Sequence, residues 1–265
     1  MFAGRIETPQ EVENMTPIID VLVEHGLSLA GGERIADVRV GLGYTAVRLE
    51  SGKAGVGAML RYLVDGGGCS LLPYAGTLAG REAREILPML GSKNIVEASI
   101  GLATINALAQ WEGPAGSTND DVVELLRIGP GDRVGMIGDI TPVFERIRRH
   151  AKECVVFDEG KPGEAGITET ALEEDLLPKC DVVILSATSL LNKTFDRMIA
   201  LSGRAREICV MGPSTPLIPE LFRSRGVTLL SGRRFTDPDR LLQVVSEAGG
   251  TRSFGAVSLK VNIRL

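Results

Sequence analysis

The second half of this chain alternates short apolar strands with helical segments, and this alternation limits the fold more than any other feature of the sequence. Strands that are apolar along their whole length are buried on both faces, which is typical of a parallel sheet covered by helices. We therefore predict a doubly wound α/β sheet. The predicted strands are Val134–Ile137, Cys154–Phe157, Val182–Leu185, Ile208–Met211 and Val227–Leu230, and the predicted helices are Asp120–Arg127, Pro142–His150, Thr194–Leu201, Thr215–Arg225 and Pro238–Ala248.

The first half has a different pattern, which indicates an α+β arrangement. Apolar residues at helical spacing predict a helix over Thr8–His25 that ends at Gly26, and His25 is expected to cap it. The predicted strands are Arg34–Leu42, Tyr44–Leu49 and Val56–Leu60, with a hairpin at Gly41–Gly43, and the predicted helices are Gly80–Leu90 and Asn94–Trp111.

A linker is predicted between the two halves, because small and turn-forming residues cluster over Glu112–Asn119. We place the boundary there, which gives an α+β domain over 1–115 and an α/β domain over 116–265. A chain of 265 residues is long enough for two modest domains.

Composition and charge favour a cytoplasmic protein that binds neither nucleic acid nor a membrane. The formal net charge is -5, and no apolar run approaches the roughly 20 residues that span a bilayer. The first residues have no hydrophobic signal core. A homo-oligomer is left open. We interpret four widely spaced cysteines as small reduced residues, mostly in the core: Cys69, Cys154, Cys180 and Cys209.

The end of one strand has the strongest motif, where Ile208–Met211 continues into Gly212-Pro213-Ser214-Thr215-Pro216. We predict that a helix follows up to Arg225, with Ser214 or Thr215 as its N-cap and Pro216 in its first turn. A helix N-terminus at the carboxyl end of a strand is where α/β sheets bind anions. The alternative is a well-capped turn without a ligand.

Other strand ends supply hydroxyl and amide groups that suit recognition of an oxyanion or a polar ring. Capping of helices is the alternative role, and no Ser/His/Asp or Cys/His set can be assembled. Asn106, on a helix of the first half that also bears Glu97, is added as a polar group among apolar ones. The candidate ligand-binding residues are Asn106, Gly138, Asp139, Thr141, Ser186, Thr188, Ser189, Asn192, Gly212, Pro213, Ser214 and Thr215.

A nucleotide site is the first alternative, because Asp158 lies twenty residues after Gly138, near the spacing at which an acidic residue meets a ribose. The glycines do not follow the GxGxxG pattern, however, and Asp139 would repel a phosphate. No Walker motif is present.

Four segments of the chain resemble motifs of one known family. Glu97–Ala107 resembles a helix written siGlAaiNAl, and Asp181–Thr194 is similar to a segment written DvviiTgstlvNgT. Met211–Leu217 matches a GPStpl turn, and Gly41–Val47 is similar to a GlgyTav hairpin. These motifs resemble those of the putative heavy-metal chelation proteins, which carry a domain of unknown function, and the resemblance runs from about residue 10 to the C-terminus.

The resemblance implies an enolase-N-terminal-like domain followed by a Rossmann-like domain, with a ligand site in the cleft between them. It also implies a role in handling metals or in making a metal-chelating compound. This chain departs from the family at Gly138–Pro142, where the family has a histidine-containing turn, and at Asp158–Lys161, where it often has a Glu-Arg pair. No metal ligands are therefore predicted.

The leading hypothesis is a protein that binds a small anionic or polar molecule in an interdomain cleft, with or without transforming it. We expect the Gly212–Thr215 turn, Gly138 or Asp139, Thr188 or Ser189, and Asn106 to converge on one point. Two alternatives stay open: an enzyme that uses NAD, S-adenosylmethionine or ATP, and a non-catalytic carrier of metal or a metal complex.

Overall fold

The computed structural model describes residues 15–64, 70–110, 112–113, 117–118 and 120–265 of the chain. It is a mixed α/β structure with one antiparallel sheet of three strands and one mostly parallel sheet of seven strands. The strands are β1 (Ile35–Val40), β2 (Tyr44–Leu49), β3 (Ala54–Ala58), β4 (Ser117–Thr118), β5 (Arg133–Ile137), β6 (Glu153–Phe157), β7 (Val182–Ser186), β8 (Glu207–Met211), β9 (Leu229–Phe235) and β10 (Ser258–Arg264).

Nine α-helices lie in the described part of the chain, and several are a single turn. They are α1 (Ile18–Ala30), α2 (Ala83–Ile86), α3 (Ile95–Leu108), α4 (Val122–Leu125), α5 (Thr141–Ile147), α6 (Glu173–Leu176), α7 (Phe195–Leu201), α8 (Pro219–Arg223) and α9 (Pro238–Ser246). No helix among the described residues is both long and apolar enough to cross a bilayer.

The first helix continues through the glycine that was expected to end it. Helix α1 extends past Gly26 to Ala30, and the predicted start at Thr8 lies outside the described residues. A Cβ atom on Gly26 would come within 2.8 Å of Leu87, so this glycine lets the helix pack closely rather than stop. His25 therefore lies inside the helix, 3.8 Å from Glu220, and does not cap it.

The antiparallel sheet lies between two helices, one from each half of the chain. The predicted hairpin is confirmed, because β1 pairs antiparallel with β2. One face of the sheet packs on α3, which is buried almost all round and begins at Asn94, whose side chain accepts a hydrogen bond from Val96 N. The other face packs on α9 through Val56, Leu241 and Val245. The predicted helix over Gly80–Leu90 is shorter, because it tightens into a 3₁₀ turn over Leu87–Gly91.

The large sheet has the strand order β4-β10-β9-β8-β7-β5-β6. Strands β6, β5, β7, β8 and β9 are parallel, as predicted, whereas β10 and the two-residue β4 are antiparallel. Strand β10 was not predicted, and it extends β9 to Phe235 by pairing along its whole length. Strand β6 pairs with one edge of β5, and β7 pairs with the other edge. The strand order therefore reverses between β5 and β7.

One buried apolar cluster includes residues of both halves of the chain. Ile105 of α3, Val183 of β7 and Leu230 of β9 belong to it, together with the first residues of α1. A shared core of this kind limits how far the two halves can move apart, because separation would expose apolar surface to water. The predicted boundary at residues 115 and 116 stays a prediction.

Candidate functional site

A cavity of about 170 Å³ lies at the carboxyl ends of β5, β6 and β7. The ends of parallel strands meet at one edge of a sheet, and ligands collect there at the point where strand order reverses. Leu60 and Tyr62, which follow β3, close the cavity from the first half of the chain. The cavity therefore lies between residues of both halves.

Six of the twelve residues that the sequence singled out line this cavity. Thr141 is attached to it through Asp139, while Asn106 and the residues of the 212–215 turn lie elsewhere. The six are Gly138, Asp139, Ser186, Thr188, Ser189 and Asn192. Tyr62, Leu60 and Glu173 line it as well, but no sequence pattern connects them with the strand ends.

Close packing of two strand ends forms the floor of the cavity. Gly138 has a φ angle of +82°, and a Cβ atom there would come within 2.7 Å of the Ser186 Cβ. Glycine is required at this position because it alone combines that backbone angle with that approach. Its N–H donates to the Phe157 carbonyl oxygen at 2.7 Å, so β5 and β6 remain paired up to the cavity.

Asp158 holds the loop after β5 against the loop after β6. One carboxylate oxygen accepts from Asp139 N at 2.8 Å, and the other accepts from Gly160 N at 2.9 Å. Each oxygen keeps a further lone pair. The carboxylate thus has a structural task and is still able to accept a hydrogen bond from a ligand.

The Asp139 carboxylate lies beside a cation and a hydroxyl. Lys161 Nζ donates to it at 2.6 Å, and Thr141 Oγ1 donates at 3.0 Å. The hydrogen bond to Asp139 raises the pKa of Lys161 above its ordinary value, so this amine stays protonated at neutral pH. The negative charge of Asp139 is thereby balanced by Lys161, and its carboxylate is held in one orientation.

Tyr62 brings a phenol from the first half of the chain to the mouth of the cavity. Its hydroxyl lies 3.4 Å from Glu159 Oε2, which also accepts from Asn192 Nδ2 at 2.9 Å. Burial, with the neighbouring Glu159 charge, raises the pKa of Tyr62 to about 12. The phenol therefore stays neutral and can donate a hydrogen bond at physiological pH.

Hydroxyl groups follow β7 and are held by one another. Thr188 Oγ1 donates to Ser186 Oγ at 2.9 Å, and Ser189 Oγ donates to the Ser186 carbonyl oxygen at 2.9 Å. Ser189 is 2 % exposed, whereas Ser186 and Thr188 are half-buried. The two half-buried hydroxyls are the ones available to a ligand.

The lining of the cavity is acidic. Four carboxylates contribute to it, from Asp139, Asp158, Glu159 and Glu173. Two of them have cationic partners, because Lys161 pairs with Asp139 and Arg197 Nη1 pairs with Glu173 at 2.6 Å. Among the described residues, the other two accept only from neutral donors, so negative charge remains at the site.

The turn after β8 differs from its prediction. Helix α8 begins at Pro219, so Ser214 and Thr215 do not cap it and Pro216 lies before its first turn. Within the turn, Gly212 N donates to the Ser231 carbonyl oxygen at 3.0 Å and Thr215 N donates to the Gly212 carbonyl oxygen at 3.1 Å. With Pro213 lacking an N–H, the amide donors that an anion would need are mostly used within the protein.

Asn106 joins this turn to the first half of the chain. Its Nδ2 donates to the carbonyl oxygens of Val56, at 2.8 Å, and Ser214, at 2.9 Å. Ser214 and Thr215 are 2 % and 3 % exposed. The expected convergence on one ligand is not what the structure has, because Asn106 packs against the turn while the β5 and β7 ends line the cavity.

Metal-ligand chemistry does not fit the described residues well. In the part of the chain that the structure describes, no three His, Cys, Asp or Glu side chains are placed so that they could hold one metal ion. The four carboxylates of the cavity already accept from N–H or O–H donors or pair with cations. A heavy-metal ion prefers several thiolate, imidazole or carboxylate ligands at short distance.

Two family profiles match this chain, and both carry the description "Putative heavy-metal chelation". One covers residues 23–109 and the other covers residues 121–264, which is more than half of the chain. The chain therefore belongs to this family, as the four motifs indicated.

Relatives and solved structures match over almost the whole length. An uncharacterised protein of Methanocaldococcus jannaschii is 27 % identical over 256 residues, which are 94 % of this chain and 98 % of that protein. A crystal structure of a family member of unknown function from Pyrococcus horikoshii has a TM-score of 0.82 and 25 % identity, covering 94 % of this chain and 100 % of that one. A second, from Desulfitobacterium hafniense, has a TM-score of 0.76 and 25 % identity, covering 93 % and 98 %.

Proposed function

We propose that the cavity at the ends of β5, β6 and β7 binds a small polar molecule, neutral or positively charged, in a cleft between the two halves of the chain. The single observation that carries this proposal is its lining. It combines half-buried hydroxyl groups, the Tyr62 phenol and four carboxylates at the point where the strand order reverses.

The negative charge of the cavity lining favours a polar ligand over an anionic one, the two kinds that the sequence left open. Two carboxylates of the lining, Asp158 and Glu159, have no ion-pair partner among the described residues, so a phosphate or carboxylate would meet repulsion. A ligand with hydroxyl or ammonium donors would instead find acceptors. We therefore keep the polar form of the hypothesis and set aside the anionic form.

The volume of the cavity also favours a small ligand. Drug-sized ligand sites have cavities of roughly 300–1,000 Å³. The volume of about 170 Å³ here suits a small metabolite better than a whole dinucleotide. It supports the view that the site binds one small molecule or one part of a larger one.

The link to metals is proposed to run through an organic molecule. A small compound with amine and hydroxyl groups is itself a chelator or the precursor of one, and such a compound fits the acceptors of this cavity. Direct chelation by side chains is the less suitable alternative, because two of the carboxylates are paired with cations and the other two already accept from N–H donors.

A nucleoside-containing cofactor is the second candidate, and Asp158 favours it. Asp158 follows β6 and lies twenty residues after Gly138, where doubly wound folds place the acidic residue that accepts from a ribose. Both of its oxygens keep a free lone pair. S-adenosylmethionine, which is positively charged at sulfur, suits the acidic lining better than NAD or ATP.

We also propose the finer fold assignment that the family resemblance implies. The antiparallel sheet with α3 supports an enolase-N-terminal-like domain over 1–115. The strand order β6-β5-β7-β8-β9 is the doubly wound order 2-1-3-4-5, and it supports a Rossmann-like domain over 116–265 in that broad sense. A cytoplasmic location and a homo-oligomer stay predictions.

Calorimetry with matched ligand pairs tests the proposal. Ribose is compared with ribose 5-phosphate and adenosine with AMP, using the full chain. S-adenosylmethionine and NAD are titrated separately, as tests of the cofactor alternative. We expect at least one unphosphorylated member to bind, and about tenfold or more tightly than its phosphorylated partner, because one repulsive contact is worth roughly 1–2 kcal/mol. Thr188→Val should weaken that binding about tenfold by removing one hydrogen bond.

Thr77→Val is the matched control, because Thr77 is exposed and lies outside the cavity. It should leave binding unchanged. Tighter binding of a phosphorylated member, or equal effects of the two threonine changes, would count against a polar ligand at this cavity. Absence of heat with S-adenosylmethionine, NAD and AMP together would remove the cofactor alternative.

A further inference from the structure

Strand β1 forms an open edge of the antiparallel sheet. The sheet order is β1-β2-β3, so β1 pairs with β2 on one side. On its other side, Ile35 N donates to the Arg81 carbonyl oxygen and the Ile35 carbonyl oxygen accepts from Gly80 N. From Ala36 to Val40, no described residue forms a backbone hydrogen bond on that side. This part of β1 therefore offers unpaired backbone groups to a strand of another chain.

The pairing of β1 with β2 determines which of these backbone groups point outward. Gly41 N donates to the Tyr44 carbonyl oxygen at 2.9 Å, so these two residues form a hydrogen-bonded pair at the end of the hairpin. Hydrogen-bonded pairs alternate with non-bonded pairs along an antiparallel ladder. The N–H and C=O groups of Val38 and Val40 therefore point away from β2. A partner strand can bond to them only through outward-pointing residues of its own.

Two opposite charges lie on either side of Val38. Arg39 Nε and Nη2 donate to Asp37 Oδ1 and Oδ2, both at 2.8 Å, and the arginine is exposed. Charges on an edge strand usually prevent pairing with another chain. The order acidic, apolar, basic is self-complementary, however. When two copies of β1 run antiparallel with Val38 opposite Val38, Asp37 of each copy lies opposite Arg39 of the other.

Other registers of two β1 strands are opposed by charge or by the hairpin turn. A shift of the second strand by two residues keeps the backbone groups in phase, but it sets Arg39 opposite Arg39 or Asp37 opposite Asp37. Like charges directly opposite each other destabilise a sheet. A shift by four residues towards the turn brings Val38 opposite Leu42, where the strand has ended. The backbone and the charges therefore agree on the register centred on Val38.

We propose that β1 is the interface through which this chain binds a second copy of itself. The two β1 strands pair antiparallel about a two-fold axis at Val38, and the two antiparallel sheets become one sheet of six strands. Each Asp37 carboxylate then lies between its own Arg39 and the Arg39 of the other copy, so four charges form one network. The exposed apolar side chain of Val40 lies beside this network at the same edge. This inference does not rest on the function proposed for the cavity.

Charge reversal tests this interface by sedimentation equilibrium of the full chain. The parent is expected to be a dimer at micromolar concentration. Asp37→Arg alone and Arg39→Asp alone each place like charges opposite one another twice in the dimer. Each should raise the dissociation constant of the dimer about a hundredfold. The double exchange, Asp37→Arg with Arg39→Asp, restores the opposite charges both within each copy and between copies, and it should restore the dimer.

An equimolar mixture of the two single variants is the sharpest form of the test. Each variant alone should be monomeric, and the mixture should form a heterodimer, because two arginines of one chain then face two aspartates of the other. Arg148→Asp is the matched control. Arg148 is exposed and paired with Glu145, as Arg39 is with Asp37, but it lies beyond α5 and away from the β1 edge. Its substitution should leave the dissociation constant of the dimer unchanged.

Hydrogen exchange of the parent needs no variant and reports the strand pairing itself. The amides of Val38 and Val40 should be protected in the dimer and should exchange about tenfold faster once the protein is diluted below its dissociation constant. A monomeric parent would overturn the proposal. So would exchange at Val38 that does not change on dilution, or a folded Arg39→Asp variant that dimerises as tightly as the parent. A mixture of the two folded single variants that stays monomeric would also overturn it.

Discussion

Replacement of Gly57 by alanine is expected to destabilise the protein by about 3 kcal/mol. Gly57 lies in β3 where α3 crosses it, and a Cβ atom there would overlap the carbonyl oxygen of Ser99. That oxygen belongs to the helix backbone, so it cannot rotate away as a side chain would. Gly55, two residues earlier on the same face, is equally close to the backbone of Ala103 and Ala107.

Thermal unfolding measures the effect of Gly57→Ala. The expected loss lowers the melting temperature by about 6–12 °C for a protein of this size. Gly32→Ala is the matched control, because no atom of the described residues lies within 4 Å of a Cβ atom at Gly32. Its melting temperature should stay within about 2 °C of the parent. A change of that size for Gly57→Ala as well would show that α3 and β3 are not packed as described.

Loss of the Asp196 carboxylate should lower the free energy of unfolding by a similarly large amount. Arg225, only 3 % exposed, donates to Asp196 Oδ1 at 2.5 Å and also to the Thr16 carbonyl oxygen. The other carboxylate oxygen accepts from Ile18 N at 3.0 Å, at the start of α1. Asp196→Ala leaves a buried guanidinium without its partner, which costs about 3 kcal/mol.

Denaturant unfolding of Asp196→Ala gives that free energy directly. Adding Arg225→Met should recover part of the loss, because no buried charge then remains. Glu145→Ala is the control: the ion pair of Glu145 with Arg148 is exposed, so its loss should change the free energy of unfolding by less than 1 kcal/mol. Equal effects of Asp196→Ala and Glu145→Ala would contradict the role given to this ion pair.

The parallel strands could be predicted from the sequence because each is apolar along its length and lies between turn residues. The observed β5 to β8 differ from the predictions by one residue at most at either end. Strand β10 was not predicted, because its alternation of polar and apolar residues indicates a strand only once its pairing with β9 is known. Gly26 was misinterpreted for a similar reason, because a glycine needed for close packing and one that ends a helix look alike in sequence.

Local sequence patterns predict one part of the candidate site and do not predict the other part. Residues such as Gly138 and Ser186 follow strands directly, so the sheet topology brings them together. The turn at Gly212–Thr215 also follows a strand, but it is hydrogen-bonded to Asn106 and does not line the cavity. Tyr62 reaches the cavity only through the packing of one half of the chain on the other, and no sequence pattern encodes that contact.

The most direct test of the central claim is to identify what the protein carries. Full-length protein and its Thr188→Val variant are purified under the same conditions and denatured, and the released small molecules are quantified by mass spectrometry. The account predicts a neutral or positively charged compound with hydroxyl or amine donors, released in near-stoichiometric amount by the parent and at a clearly lower level by the variant. Release of a phosphorylated anion, equal release from both proteins, or no organic compound from the parent would contradict the account.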